Sequence, residues 1–365
     1  MKSPGLNPGD FANLTGPRRG IFAVGDIKQI ESLHRYHKFA VKLMKNKKDN
    51  FEKQTVLKFF ESCKTNSLIL PGEKILLAVS GGSDSVAMLA MAAKLKNKTA
   101  VAYIDHRLRS GASDEKQFVK TLAKKFGMPF YTKSFNVSRA ASVSGKSVED
   151  CAREARYKLL SGIGKKHGFD IIFTGHTLSD NMETFFLKLF RGGGLPSFYG
   201  IARKTAIFGT AVARPMLDFE RGQLKKYLRV LKLPFMTDQS NKDRKFLRNK
   251  IRRDLIPFIE KHFGKGPLKH IRALIRQAED LNGLVSETKK ALKKKSEGGK
   301  LDKKLYLSYN EFLRKCFLAE FLGRKVNSLY IDKIDGFISS GKGGTFKLRG
   351  INLTVKKGKL YNETS

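Results

Sequence analysis

Between Ile75 and Thr174 the chain alternates short apolar runs with stretches in which apolar residues recur every three or four positions. The first run, Ile75-Leu76-Leu77-Ala78-Val79, is continuous, as a parallel strand covered on both faces requires, and it halts at Ser80-Gly81-Gly82. A helix beginning near Ser85 and carried by Val86 to Leu95 follows. Thr99 to Ile104 is the second expected strand, Ser113 to about Phe126 the second helix, and Phe130 to Asn136 the third strand. Ser147-Val148-Glu149-Asp150 has the form of a helix start, with Val148, Ala152, Ala155 and Leu159 as one apolar face behind it. Asp170 to Thr174 is the fourth strand, and Phe185 to Phe190 completes a helix that ends at Arg191-Gly192-Gly193-Gly194. Strands alternating with helices predict an α/β fold with a doubly wound, mostly parallel, Rossmann-like sheet.

Beyond this region the pattern changes. A helix is expected around Gly222 to Leu231, and a longer one from Leu268 to about Lys295 with Ile271, Leu274, Ile275, Ala278 and Leu281 on one stripe. Ser296 to Lys300, with its glycine pair, reads as a linker. After it come an apolar helix pattern, Phe312 to Leu322, and two strand-like runs, Thr345 to Leu348 and Leu353 to Lys356, which together suggest a small α+β module. The expected division is a basic N-terminal extension (1–66), a catalytic domain (67–263), a helical connector (264–300) and the C-terminal module (301–365). Residues 1–66 hold no catalytic motif; Asp10, Asp26 and Glu31 and the missing apolar core argue against a targeting peptide. Met44 is an alternative start, since Lys45 to Phe60 would lead through an amphipathic helix into the first strand.

Charge narrows the class of partner. Lys and Arg number 72 against 33 Asp and Glu, a formal charge of +39, which favours a polyanion, nucleic acid first. No apolar run approaches the roughly 20 residues that cross a bilayer, so no membrane is expected. Cys63, Cys151 and Cys316 are far apart and form no C-x-x-C pair, which suits a reducing, cytoplasmic setting. The scattered histidines, His34 and His37 being the one near pair, make no obvious zinc or iron–sulfur ligand set.

Two clusters carry candidate chemistry. In Ser80-Gly81-Gly82-Ser83-Asp84-Ser85 the glycines allow a tight turn, the helix start offers backbone amides to an anion, and the serines add hydroxyl donors. Asp84 would repel bare phosphate and is better explained as a ligand for Mg²⁺ between phosphate oxygens. No lysine follows the glycines, so this is not a Walker loop. Asp105 and His106, at the next strand's carboxyl end, would face the same crevice. The second cluster is Gly175-His176-Thr177-Leu178-Ser179-Asp180-Asn181-Met182-Glu183-Thr184. Asp180 and Glu183, three apart at a helix start, put two carboxylates on one face, where they could bind one cation. Equally, Thr177-x-x-Asp180 could be a capping box with no catalytic duty. Arg156 and Arg248 stand in basic helical stretches whose bland explanation is a solvated face.

The first hexapeptide resembles the S-G-G-x-D-S loop of the ATP pyrophosphatase (PP-loop) superfamily. More widely, the chain is similar to tRNA(Ile)-lysidine synthetases from about Gly72 to Phe263, and more weakly to the end. The matching residues are Ser80 to Ser85, Asp105-His106-x-Leu108-Arg109, Ser147 to Tyr157, His176 with Asp180 and Glu183-Thr184, Arg214-Pro215, Asp238-x-Ser240-Asn241 and Arg248-Asn249-x-Ile251-Arg252. The last two clusters discriminate within the superfamily. The chain departs at His176-Thr177 and Ser179-Asp180-Asn181, where the family often has His-His and Asp-Asp-Gln. The resemblance implies ATP-dependent joining of free L-lysine to C2 of the wobble cytidine in a CAU-anticodon tRNA(Ile), through an adenylylated cytidine. It implies ATP bound by Ser80, Gly81, Gly82, Ser83, Asp84, Ser85, Asp105 and His106, with Asp84 on Mg²⁺ and Asp84, Arg156, His176, Asp180, Glu183 and Arg248 as catalytic residues. A homodimer is one open oligomeric state. The alternatives are another PP-loop tRNA modifier such as a thiolase, which commonly needs cysteine pairs, and a non-catalytic RNA-binding protein.

Overall fold

The uninterrupted apolar run Ile75–Ala78 forms strand β1, whose first three residues are buried, because strands flank it on both sides. The structure is a computed structural model that describes residues 50–107, 112–145, 147–192, 195–237, 247–294, 296, 300–322, 328–341, 343–348 and 351–363. Expectations for residues 1–49, Leu108, Arg109, Gly193, Gly194 and Asp238 to Asp243 lie outside the described residues. The described chain groups into two compact units. The first lies within Met1–Gly175, Lys204–Met216 and Gly222–Met236; the second takes His176–Arg203, Leu217–Arg221 and Thr237–Ser365.

In the first unit, β1 pairs in parallel with β2 (Thr99–Asp105), Leu77 opposite Val101, and with β4 (Ile171–Thr174), Leu77 opposite Phe173. β3 (Phe130–Ser134) lies outside β2, and β6 (Thr210–Ala213) outside β4, also in parallel. Only the edge strand β5 (Lys204–Ile207) runs antiparallel, giving the order β3-β2-β1-β4-β6-β5. The doubly wound, mostly parallel sheet is therefore present. The β5–β6 hairpin was not expected from the sequence, because its strands are short and poor in large apolar residues. Phe208 and Gly209, at φ 49° and 72°, make the two-residue turn whose twist suits such a hairpin.

Helices α1 (Asn50–Thr65), α2 (Ser83–Ala92), α3 (Ala112–Lys125), α4 (Val137–Ser144) and α5 (Val148–His167) complete the crossovers. α2 is buried from Ser85 to Ala92, in keeping with a helix apolar all round. Helix α4 is a second departure from expectation. Its eight residues are mostly Ser, Ala and Val and carry little periodicity; Asn136, accepting from Arg139 N at 3.0 Å, starts it and Gly145 at φ 64° stops it. Because α4 covers Cys151 and Ala152, the buried face of α5 is displaced from the expected stripe: Val148 is exposed, while Tyr157, Leu160 and Ile163 pack on Leu76, Ala100, Ile172 and Val212.

The second unit packs α6 (Leu178–Phe190) against a long helical stretch. That stretch comprises α8 (Leu247–Lys250), a π-helical turn (Ile251–Leu255) and α9 (Ile256–Phe263), with Ile256 N–H donating to Ile251 O. α7 (Arg221–Val230) contributes its first residue to this unit. Met182, Phe185, Phe186, Ile251, Leu268 and Ile275 form the shared core. α10 (Gly266–Lys294) buries Leu268, Ile275, Ala278, Val285 and Leu292, mostly seven apart, and leaves Leu274 of the expected stripe exposed.

The C-terminal part of this unit holds α11 (Lys303–Leu307), α12 (Glu311–Phe321) and α13 (Ser328–Ser339). Its antiparallel sheet joins β7 (Lys300–Asp302), β8 (Gly344–Leu348), β9 (Ile351–Lys356) and β10 (Lys359–Asn362) in the order β7-β10-β9-β8. Lys300, expected in a linker, is already in β7, and Leu292 from α10 lies in the core with Leu301, Tyr306, Phe317 and Leu353. Among the described residues no helix is long and apolar enough to cross a membrane.

Candidate active site

At the carboxyl end of β1 the chain turns through Ser80–Gly82 into α2. Gly81 has φ 89°, and its carbonyl accepts from Met236 N at 2.9 Å, which pins the turn. Ser85 Oγ donates to Gly82 O at 2.9 Å and accepts from Ser80 N at 3.2 Å, with Ser80 Oγ 3.4 Å away. These bonds close the hexapeptide on itself, while no side chain caps α2 at Gly82. The first turn therefore presents backbone N–H groups and a positive helix end to an anion. Gly175, following β4, approaches closely: a Cβ there would lie 3.2 Å from Ser85 Cα and N. The loop thus sits where strand order reverses between β1 and β4, the usual ligand position in an open α/β sheet.

Asp84 is half-buried in that first turn, with Ser83 Oγ 3.1 Å from its Oδ1. One carboxylate beside a phosphate-binding turn suits Mg²⁺, which favours one or two carboxylates plus substrate phosphates. Asp105 and His106 follow the adjacent strand β2 and are half-buried. Asp105 Oδ1 accepts from Arg107 N at 2.8 Å, holding Arg107 at φ 50°. Arg156 lies on the exposed side of α5. Arg214 is buried after β6, its Nη2 3.4 Å from Tyr157 Oη.

The second unit holds His176, Asp180, Glu183 and Arg248, and adds Arg221 and Arg252. The two oxygens of Asp180 divide their work. Oδ2 accepts from Thr177 N at 2.8 Å and from Thr177 Oγ1 at 2.9 Å, the return half of a capping box. Oδ1 accepts from Arg221 Nη2 at 3.0 Å and Arg252 Nη2 at 3.3 Å, with Arg248 Nη2 at 3.6 Å. Glu183, wholly buried, accepts from Arg248 Nε at 2.8 Å and from Arg252 Nε and Nη2 at 2.6 and 3.0 Å. Helical capping and a charged cluster are therefore built from the same residue. Burial pushes the Asp180 carboxyl upward, but Arg221 foremost, then His176, Arg248 and the Thr177 amide, hold it below the usual carboxylate range.

Arg221 and Arg252 were not singled out as site residues by the sequence. Arg252 stood inside a quoted motif, four residues after Arg248 and so on the same helical face. Arg221 opens α7, where a cation opposes the helix dipole, and that misfit was the available signal.

Among known proteins, a family model described as a PP-loop domain matches residues 49–259. A tRNA(Ile)-lysidine synthase of Chlorobaculum tepidum is 30% identical over 303 residues, covering 80% of this chain and 90% of the relative. The chain belongs to the tRNA(Ile)-lysidine synthase family. A member from Thermus thermophilus is 36% identical over 211 residues, with 58% of this chain and 40% of that relative covered. The chain thus spans nearly the whole of one synthase and less than half of another. The family places it among ATP-binding ligases that modify tRNA. For the fold, the U34-tRNA thiolase NcsA from Methanococcus maripaludis superposes with a TM-score of 0.52 at 15% identity, over 64% of this chain and 80% of the thiolase.

Proposed function

We propose that the protein joins free L-lysine to C2 of the wobble cytidine of a CAU-anticodon tRNA(Ile) in the cytoplasm, using ATP and releasing AMP and pyrophosphate. The observation that carries this reading is the ionised Asp180–Glu183 pair on one face of α6, in a chain of this family. In the first step the cytosine O2 attacks the α-phosphorus of ATP and pyrophosphate leaves. Ser80 to Ser85 receive its charge through backbone amides and hydroxyls, and Asp105 and His106 border the nucleotide. Magnesium held by Asp84 and phosphate oxygens would supply further neutralisation of the leaving group. Arg156 offsets negative charge on the transferred group.

In the second step the lysine ε-amine attacks C2 and AMP leaves. Asp180 and Glu183 take the lysine's amines, and His176 or one carboxylate removes the proton that would otherwise block attack. The pair is already engaged by Arg221, Arg248 and Arg252, so lysine enters by exchanging with guanidinium donors. Arg248, partly released, then turns its charge to the departing phosphate. Entry of the nucleophile and stabilisation of the leaving group are in this way coupled.

The test is product analysis with tRNA transcripts. Pyrophosphate and AMP released together, with AMP release dependent on lysine, is the expected result; ADP and inorganic phosphate would exclude the assignment.

A further inference from the structure

The helical stretch that carries Arg248 and Arg252 also carries aromatic rings on its solvent side. Its core face is fully used: Ile251 is buried, and Leu255, Ile256 and Ile259 pack on α6 and α10. Phe258 and Phe263 are nevertheless 53% and 66% exposed. A single exposed phenylalanine is ordinary, but here three rings adjoin. The Phe258 and His262 ring centroids are 4.4 Å apart, and those of Phe258 and Phe263 are 6.3 Å apart. Arg253, Lys261, Lys265 and Lys269 are exposed around them, against Asp254 and Glu260.

We infer that Phe258, His262 and Phe263 form a stacking surface for an unpaired base of the RNA substrate. This rests on the tRNA-modifying reading proposed above. Planar rings with a cationic rim match the two surfaces of a single-stranded nucleotide, its base and its phosphate. A second copy of the chain would bring two positive rims together, which disfavours self-association at this face. A lipid surface would need a long apolar helix face, and the apolar face of this helix is spent on the core. Phe258 follows Arg252 by six residues, about 9 Å along the helix. That spacing seats the base one or two nucleotides from the cytidine that reacts at the arginine–carboxylate cluster.

The experiment uses the full chain and tRNA transcripts carrying 2-aminopurine on either side of the reacting cytidine. Binding to the wild-type protein is expected to quench the probe on one side. Phe258→Leu and Phe263→Leu keep an apolar side chain but remove the ring; each should lose that quenching and bind about 5- to 150-fold more weakly. Phe258→Tyr should restore both, and ATP binding and thermal melting should stay unchanged throughout. Unaltered quenching and affinity in both leucine variants would overturn the inference while leaving the ligase reading intact. So would a wild-type dimer that those variants dissociate, since the face then belongs to a second copy. A wild-type protein that binds no tRNA would remove the ligase reading and this inference together.

Discussion

The carboxylate pair on α6 makes separate demands on its two members. Glu183 is wholly buried and satisfied by two guanidinium groups, so Glu183→Gln strands positive charge in the interior. Breaking a buried pair from one side costs about 3–5 kcal/mol, and thermal unfolding should show it directly. Asp180 is half engaged in capping, and Asn keeps an acceptor for Thr177 while losing charge toward Arg221 and Arg252. Asp180→Asn should therefore spare folding more, and should raise the apparent lysine constant roughly 10- to 150-fold, the worth of a charged hydrogen bond of about 1.5–3 kcal/mol. Pyrophosphate release from the first step should fall less; an unchanged lysine constant in a well-folded variant would leave capping as the whole role of Asp180. The pH dependence has a definite sign. With its folded pKa depressed, Asp180 contributes stability that is complete above the unfolded value near 4 and is lost as pH falls through the folded value. Acid melting curves of Asp180→Asn should be flatter than wild type below about pH 4.

The segment after α6 is held by contacts that sequence patterns do not register. Lys188 Nζ donates to Ser197 O at 2.7 Å and Gly200 O at 2.6 Å and lies 4.1 Å from the Tyr199 ring centroid. Burial lowers its pKa from 10.5 to about 8. Between those values the unfolded chain binds the extra proton, so stability should rise as pH increases from about 8 toward 10. Titration of ¹³C-methylated lysines by NMR should reveal one amine near 8, absent in Lys188→Met. Asn181 Oδ1 accepts from Ile201 N at 2.7 Å, and a Cβ on Gly200, at φ 72°, would fall 2.0 Å from that same oxygen. Gly200→Ala should consequently destabilise by more than the 1–2 kcal/mol that left-handed strain alone costs. The β1 run, the glycine turn and the α6 acidic pair were legible beforehand because each is local: period, turn chemistry and spacing lie within a few residues. The Asn181–Gly200 lock, the partners of Glu183 and the small-residue helix α4 were not, because they depend on which distant element covers them.

At the scale of the whole chain, a formal charge of +39 makes tRNA affinity an ionic-strength-dependent quantity. Log affinity should fall linearly with log salt, and replacing a phosphate-binding Lys or Arg should reduce the slope by about one, whereas Phe258→Leu should leave it unchanged. A flat salt profile would show that the basic excess serves something other than RNA. The C-terminal module also resists excision at residue 301, since that cut divides β7 and uncovers Leu292. One stretch of helix joins chemistry to core: Arg248 and Arg252 meet Glu183, while Leu255 and Ile259 pack inward. Those obligations fall out of step on an ideal α-helix, and the π turn at Ile251–Leu255 supplies one additional residue between them. It works as a phase adjuster. Deleting a single residue there would restore regular winding yet rotate everything downstream by about 100°, turning Ile259 toward solvent while Arg248 stayed in place. Single-residue length changes are thus barred from this turn, however freely its side chains are exchanged.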